Sequence, residues 1–280
     1  MSADVAGERQ TEAAGPDHPR TSLRGARGEF YVGYARMAPG LRSFSTVVGL
    51  VLIFATSGFA FATFFAQDTP PRAGYGPRAK LEGVFQAEPH PMIHVAPPPD
   101  APPGQTLVLA RPGKSQVNEA KAARLDGKPV QVGGIYTQRD GVKFFQVAGG
   151  GPNALRVADP ATTATPPESW RAPVPEDLGT HRLKGAVVDP KCYTGQMIPG
   201  AGKAHKGCAA FCLLNRIPPY FVSRRPFGGV SYYLMVNADG SALDESVTAY
   251  VSDPVAVTGR VERLGSLLVF KTNIDSIERL

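Results

Sequence analysis

Residues 129–145 read PVQVGGIYTQRDGVKFF and residues 254–270 read PVAVTGRVERLGSLLVF, and the two stretches match at one constant offset. In each, alternating apolar residues flank a turn that contains glycine, Gly141 or Gly265. This pattern is typical of a β-hairpin, because glycine supplies the positive φ that a tight turn requires. Upstream of each hairpin lies another matching run, LEGVF at 81–85 and LKGAV at 183–187. The repeated order predicts two related β domains.

Each half reads as a strand, a variable excursion, a second strand, a short helix and the hairpin. The second strands lie at 107–109 and 233–236, and the helices at 116–124 and 243–251. About five short strands with one helix suit a small closed barrel of the OB type, which removes exposed edges by closure. We therefore predict a mainly β fold with short helices, in which two tandem OB-like small β-barrels follow one N-terminal transmembrane helix. β-sandwich domains are the alternative.

Composition divides the rest of the chain. The polar N-terminus is predicted to be a disordered cytoplasmic tail, and the Pro-rich stretches are predicted to be linkers. The expected segments are the tail 1–27, an aromatic juxtamembrane segment 28–42, the transmembrane helix 43–67, a linker 68–78, OB-like domain 1 at 79–158, a Pro-rich linker 159–179, and OB-like domain 2 at 180–280 with a Cys/His insertion at 189–222.

The uncharged run at 43–67, SFSTVVGLVLIFATSGFAFATFFAQ, is long enough to cross a bilayer as a helix. A cleaved signal peptide is the alternative, because Ala60-Phe61-Ala62 resembles a cleavage site. The long stretch ahead of the run favours an uncleaved anchor. Basic residues flank the run on both sides, so their distribution gives little orientation. Since long C-terminal domains translocate readily and clustered cysteines suit an oxidising compartment, we predict a single-span protein of the bacterial inner membrane with a cytoplasmic N-terminus and periplasmic domains.

Several functional classes are disfavoured by composition and motifs. The net charge is +6, but the basic residues are scattered, which argues against nucleic-acid binding. The sequence has no G-x-S-x-G or H-E-x-x-H motif, and the glycines at 149–151 lack a P-loop context. We therefore predict no enzymatic activity and no small-molecule substrate. His90 and His94 are interpreted as loop residues.

The chemistry is concentrated at 189–222, DPKCYTGQMIPGAGKAHKGCAAFCLLNRIPPYFV, which holds all three cysteines. This segment takes the place of about a dozen Pro-rich residues, 94–105, in the first half. A feature inserted into one copy of a repeated scaffold is a better functional candidate than the scaffold itself. A helix is predicted at 203–216, which would place His205, Cys208 and Cys212 on one face.

Three interpretations of this segment stay open. A disulfide from Cys192 to Cys208 or Cys212 would stabilise the excursion by about 3 kcal/mol, whereas a Cys208–Cys212 bond has poor geometry within one helical turn. A metal site would use Cys192, His205, Cys208 and Cys212, with zinc as the ion or, given Met197 nearby, copper. The third interpretation is a thiol-exchange centre with a thiol of lowered pKa.

The order G-x-V-x-D-x-x-C, H-x-x-C-x-x-x-C, a Pro-containing turn and a V-x-V-x-G-x-V hairpin at 255–261 resembles a group of small bacterial envelope domains. The likeness covers about the last 100 residues, with a longer loop at 193–202. The aromatic entry FYVGY at 30–34 and the two-copy architecture resemble longer anchored relatives associated with membrane redox modules of Rieske, cytochrome b or molybdenum-enzyme type.

The resemblance supports the fold and the compartment. We predict a non-enzymatic, membrane-anchored accessory or assembly subunit of an envelope respiratory or redox complex. Its partners would be membrane-protein subunits of the cytochrome or oxidoreductase type, docked through Phe30, Tyr31 and Tyr34. The same aromatic residues also suit an anchor at the headgroup level. The alternative function is a periplasmic metal-binding protein for zinc or copper, or a thiol-exchange protein, that uses the Cys/His cluster.

Overall fold

The structure is a computed structural model that describes residues 39–66, 74–96, 104–148, 151–163 and 167–280. The tail 1–27 and the aromatic residues Phe30, Tyr31 and Tyr34 lie outside these ranges, so their expected roles stay predictions. The chain divides after Thr69 into two units.

The first unit contains helix α1, Pro39–Ala66. Its segment Gly40–Ala66 is long and apolar enough to span a membrane, as the uncharged run predicts. At 1.5 Å per residue this segment measures about 40 Å, more than the roughly 30 Å of a hydrocarbon core. The hydroxyl groups of Thr46, Thr56 and Thr63 each donate to the backbone carbonyl four residues earlier. These polar groups are thus satisfied within the helix, which suits an apolar environment.

The second unit is mainly β and begins with a six-stranded sheet. Its elements are β1 Gly74–Gln86, β2 Met92–Val95, β3 Thr106–Ala110, α2 Glu119–Leu125, β4 Pro129–Arg139, β5 Val142–Val147 and β6 Leu155–Val157. The strand order is β1-β2-β3-β5-β4-β6. β1 pairs with β4 as well as with β2, and β3 runs parallel to β5.

The second unit also contains a closed five-stranded barrel. Its elements are β7 Glu176–Val188, α3 Lys206–Leu214, β8 Tyr220–Phe227, β9 Val230–Asn237, β10 Pro254–Leu264 and β11 Leu267–Arg279, with a 3-10 turn Glu245–Tyr250 before β10. The strand order is β10-β11-β9-β8-β7, in which β10 pairs with β7 to close the barrel and β9 runs parallel to β11.

Glycines at matching positions make the same kind of contact in the two sheets. A Cβ atom at Gly134 in β4 would lie 2.5 Å from the ring of Phe145, and one at Gly259 in β10 would lie 2.9 Å from the ring of Phe270. In both sheets the missing side chain lets an aromatic ring of the hairpin partner cross over the strand. The repeat seen in sequence is therefore a repeat of packing.

The predicted hairpins are confirmed, with Gly141 at φ 80° and Gly265 at φ 61° in their turns. Strands β1 and β7 begin earlier than expected, at Gly74 and Glu176, inside stretches interpreted as linkers. The interpretation of His94 as a loop residue is wrong, because it lies in β2 and is buried. Its ring bonds to Gln86 Oε1 at 2.8 Å and Thr106 Oγ1 at 3.0 Å.

Three hydrophobic clusters stabilise the second unit. One belongs to the first sheet and one to the barrel, and the third combines residues of both. This shared cluster packs Phe144 of β5 and Val108 of β3 with Tyr220 of β8, and it also contains Cys192 and Cys212. The cysteine segment therefore lies where the two sheets meet.

Candidate metal centre

The segment that carries the cysteines is the connection between β7 and β8, residues 189–219. The corresponding connection between β1 and β2 is only residues 87–91. The counterpart of the insertion is therefore not residues 94–105, as the repeat predicts, because β2 lies at Met92–Val95 and most of that stretch follows it. The connection between the first two strands therefore has five residues in the first sheet and thirty-one in the barrel.

Cys192 is positioned by a tight turn directly after β7. Asp189 Oδ1 accepts a hydrogen bond from the Lys191 backbone N–H at 2.9 Å, and one wide helical turn follows over Cys192–Gln196. Within that turn the buried Thr194 hydroxyl donates to Thr137 Oγ1 of β4 at 2.7 Å. The first sheet thus fixes the turn that presents Cys192.

Two further contacts tie the same turn to the β4–β5 hairpin. The Tyr193 hydroxyl donates to Asp140 Oδ2 at 3.0 Å, and the Arg139 guanidinium lies 4.7 Å above the Tyr193 ring. Buried Lys191 extends in another direction, where its Nζ donates to the backbone carbonyls of Arg111 and Gly113. The cysteine segment of the second half is therefore held by loops of the first.

Helix α3 carries the other two cysteines, Cys208 and Cys212, within the stretch 203–216 where a helix is predicted. A 3-10 turn, Lys203–His205, leads into it, so His205 lies just before the first turn. Ala209 and Leu213 pack into the barrel core and fix the rotation of the helix. This rotation buries Cys212 and leaves Cys208 half-buried.

The donor atoms of these residues converge in two overlapping groups. Those of Cys192, His205 and Cys208 all lie within 4.8 Å of one another, and so do those of Asp189, Cys192 and Cys212. Cys192 belongs to both groups. All four residues of the predicted metal set are thus brought together around Cys192, with Asp189 as a fifth donor that the sequence did not assign.

Two donors of this cluster lack ordinary hydrogen-bond partners among the described residues. His205 is only 3% exposed and its Nε2 atom is unpaired, and Asp189 is fully buried with no N–H or O–H donor at Oδ2. A buried polar atom without a partner costs about 1–3 kcal/mol. Such atoms in native proteins call for an explanation, and an ion is one of the few available.

Burial and neighbouring groups set the protonation of the inner donors. The pKa of Cys192 is raised by its hydrogen bond with Cys212, by burial and by the negative charge of Asp189. Burial lowers the pKa of His205, so the ring is neutral at pH 7. Without an ion, the inner site therefore holds a protonated Cys192 thiol and a neutral imidazole.

The outer side of the cluster carries a lysine and a methionine. Lys114 Nζ donates to Cys208 Sγ at 2.8 Å and to the Cys208 carbonyl at 3.1 Å. Although burial opposes it, this hydrogen bond and the nearby cysteines raise the pKa of Lys114. Cys208 Sγ also lies 3.1 Å from Met197 Sδ. Sequence reasoning missed Lys114, which follows β3 and is far from the cysteines along the chain.

All three cysteines are free thiols in this structure. Because Cys192 shares a donor group with Cys208 and another with Cys212, it is close to both of its predicted disulfide partners. A pairing of Cys192 with either one stays a prediction.

A separate cleft of about 560 Å³ is lined by Leu213 of α3 and by Ile217, Val247 and His90. His90 is buried with Nε2 unpaired, and burial together with the charge of Arg216 lowers its pKa to about 4.

Comparison of the chain with protein-family models, with curated proteins and with solved structures finds no match. The functional argument below therefore rests on the geometry of the described residues.

Proposed function

We propose that this protein binds a zinc or copper ion at the cluster around Cys192. The observation that carries the proposal is the convergence of Cys192, His205 and Cys208 donor atoms within 4.8 Å, with the buried His205 Nε2 unpaired. Thiolate and neutral imidazole are the donors that both ions prefer in proteins.

The spacing of the donors fits an ion after small movements. With Zn–S bonds of about 2.3 Å and Zn–N bonds of about 2.0 Å, neighbouring donors of a tetrahedral site lie roughly 3.5–4 Å apart. Donors within 4.8 Å need to close by no more than about 1 Å. An ion held by Cys192, His205 and Cys208 would also remove the cost of leaving His205 Nε2 buried and unpaired.

The contacts around the Cys192 turn also support a metal site, because they hold the turn in one orientation. A metal ligand needs neighbours that fix its orientation, and removing them typically weakens binding about 10- to 100-fold. Here Thr194, Tyr193 and Lys191 tie the Cys192 turn to the first sheet, as described above. This bracing is the preorganisation that tight binding requires.

The test is Zn(II) titration of the full chain in detergent under reducing conditions, in competition with the chromophore 4-(2-pyridylazo)resorcinol. We expect about one equivalent to bind, Cys192→Ser to abolish binding, and His205→Gln to weaken it about tenfold or more. The matched control is His181→Gln, because His181 packs on Phe227 outside the cluster. Equal affinities for the two histidine variants would refute the assignment of His205.

We also propose that both sheets of the second unit are OB-like barrels. In support, the strand order first-second-third-fifth-fourth is the same in both, the third strand is parallel to the fifth, and the first pairs with the fourth. A helical segment precedes the fourth strand in each, α2 in one and Glu245–Tyr250 in the other. The alternative of β-sandwich domains lacks this cyclic pairing.

A second candidate function is the anchored accessory subunit of an envelope redox complex. Helix α1 supports it, because its large apolar side chains such as Phe54, Phe59 and Phe64 are each 73% exposed and would need lipid or a partner helix. In this proposal the second unit lies on the periplasmic side. Purification from detergent-solubilised membranes tests it, and a chain that elutes alone, without a cytochrome or oxidoreductase, would count against it.

A further inference from the structure

The donors of the metal cluster differ in their access to solvent. Cys192 and His205 are 1% and 3% exposed, whereas Met197 is 43% exposed. The exposure of Cys208 is intermediate. Cys208 Sγ lies 3.1 Å from Met197 Sδ. The cluster therefore has an outer pair of sulfur atoms that an arriving ion meets first.

The chemistry of the outer pair discriminates between metals. Zinc sites in proteins are built from cysteine, histidine, aspartate and glutamate, and a thioether adds little to them. Thiolate and thioether sulfurs together select monovalent copper, which is softer. Met197 is a surplus residue for a zinc site and a useful ligand for a copper site.

The fixed charges point to the same ion. The formal charges of Asp189 and Lys191 cancel. Among the described residues, Lys114 is the cation that contacts a cysteine of the cluster, with its Nζ 2.8 Å from Cys208 Sγ. Two thiolates, Cys192 and Cys208, carry two negative charges, so a monovalent ion plus Lys114 gives neutrality. A divalent ion would leave the Lys114 charge uncompensated in a partly buried place, which is unfavourable.

We infer that the ion this cluster selects is monovalent copper, and that Cys208 and Met197 are the solvent-side ligands through which it reaches Cys192 and His205. The inference rests on the proposed metal-binding function. Binding is a ligand exchange without electron transfer. Copper–sulfur bonds form at Met197, Cys208 and Cys192, the protons of these two thiols pass to water, and the ligands that copper held in solution leave.

The test uses the full chain in detergent, kept anaerobic and reduced, with Cu(I) presented in competition with bathocuproine disulfonate and Zn(II) presented in a parallel titration. The informative variant is Met197→Leu, which removes the thioether at nearly constant volume. The matched control is Met235→Leu, which makes the same change in the barrel core. We expect Met197→Leu to weaken Cu(I) binding about tenfold and to leave Zn(II) binding unchanged, and Met235→Leu to change neither.

The outcomes separate this inference from the function on which it rests. Unchanged Cu(I) affinity in Met197→Leu would overturn the assignment of the outer ligand. A chain that binds Zn(II) but fails to take Cu(I) from the competitor would overturn the choice of ion and leave the metal site intact. Binding of neither ion would refute the proposed function itself.

Discussion

Substituting Gly200 by alanine probes the geometry of the metal cluster without touching a ligand. Gly200 is buried against the turn that presents Cys192, and an added Cβ atom would lie 2.1 Å from the Cys192 carbonyl oxygen and 2.7 Å from its carbonyl carbon. Non-bonded atoms prefer separations of about 3.5 Å, so the two backbones must move apart by more than about 1 Å. The obstacle is backbone and cannot rotate away.

This displacement adds to the movement that the donors must make to reach a bound ion. Metal–ligand distances hold within about 0.2 Å, so a shift of Cys192 relative to His205 should weaken metal binding about 10- to 100-fold. Overpacking of this kind also lowers the free energy of unfolding by about 1–3 kcal/mol.

The assay is the competition titration described above, together with chemical denaturation of the full chain in detergent. Gly207→Ala is the matched control, because Gly207 is exposed in α3 and an added Cβ atom meets nothing within 4 Å. That variant should bind metal normally and gain up to about 0.5–1 kcal/mol of stability. If Gly200→Ala retained wild-type affinity, the contact between Gly200 and the Cys192 turn would have no role in positioning the ligand.

Three further predictions follow from other contacts. Lys191→Met should lower the free energy of unfolding by about 1–3 kcal/mol, because the hydrogen bonds from the buried ammonium to the Arg111 and Gly113 carbonyls are lost, and unchanged denaturation would contradict the bracing of the segment. His90 should make stability fall with acid: its pKa is about 4 when folded and 6.5 when unfolded, so the unfolded chain binds more protons between these values. The contribution of His90 to the free energy of unfolding is then fully present above pH 6.5 and is lost, by up to about 3 kcal/mol, as the pH decreases to 4. His94 has a similarly lowered pKa and adds to this pH dependence. Denaturation of His90→Gln between pH 4 and 6.5 should therefore show a smaller change of stability with pH. Gly259→Ala places a Cβ atom 2.4 Å from the Lys271 carbonyl oxygen, so it should cost about 1–3 kcal/mol while metal affinity, titrated in parallel, stays unchanged.

Local patterns predicted the scaffold well. The two hairpins, the helix with Cys208 and Cys212, and the membrane-length helix all followed from apolar alternation, turn glycines and an uncharged run. Within one helix or hairpin, residues that are close in sequence are also close in space, so a short pattern is enough to predict these elements. β2 was missed because it has only four residues, MIHV, and holds a buried histidine.

The rest of the site depends on contacts between distant parts of the chain. Lys114 reaches Cys208 only because the loop after β3 lies against α3, and Lys191 reads as an ordinary surface lysine until the Arg111 and Gly113 carbonyls surround it. Asp189 was visible in the motif D-x-x-C, but its role needs the unpaired Oδ2 atom. Neither secondary-structure propensity nor the spacing of residues along the chain predicts contacts between such distant residues.

The central claim is that the cysteine cluster is a metal site, and metal content measured together with thiol reactivity tests it most directly. The full chain, purified in detergent under reducing conditions, would be analysed for its elements while its thiols are titrated with and without a strong chelator. The account predicts about one zinc or copper ion per chain and cysteines that react fully only after the chelator removes the ion. A metal-free chain with one disulfide from Cys192 and a single reactive thiol would contradict it.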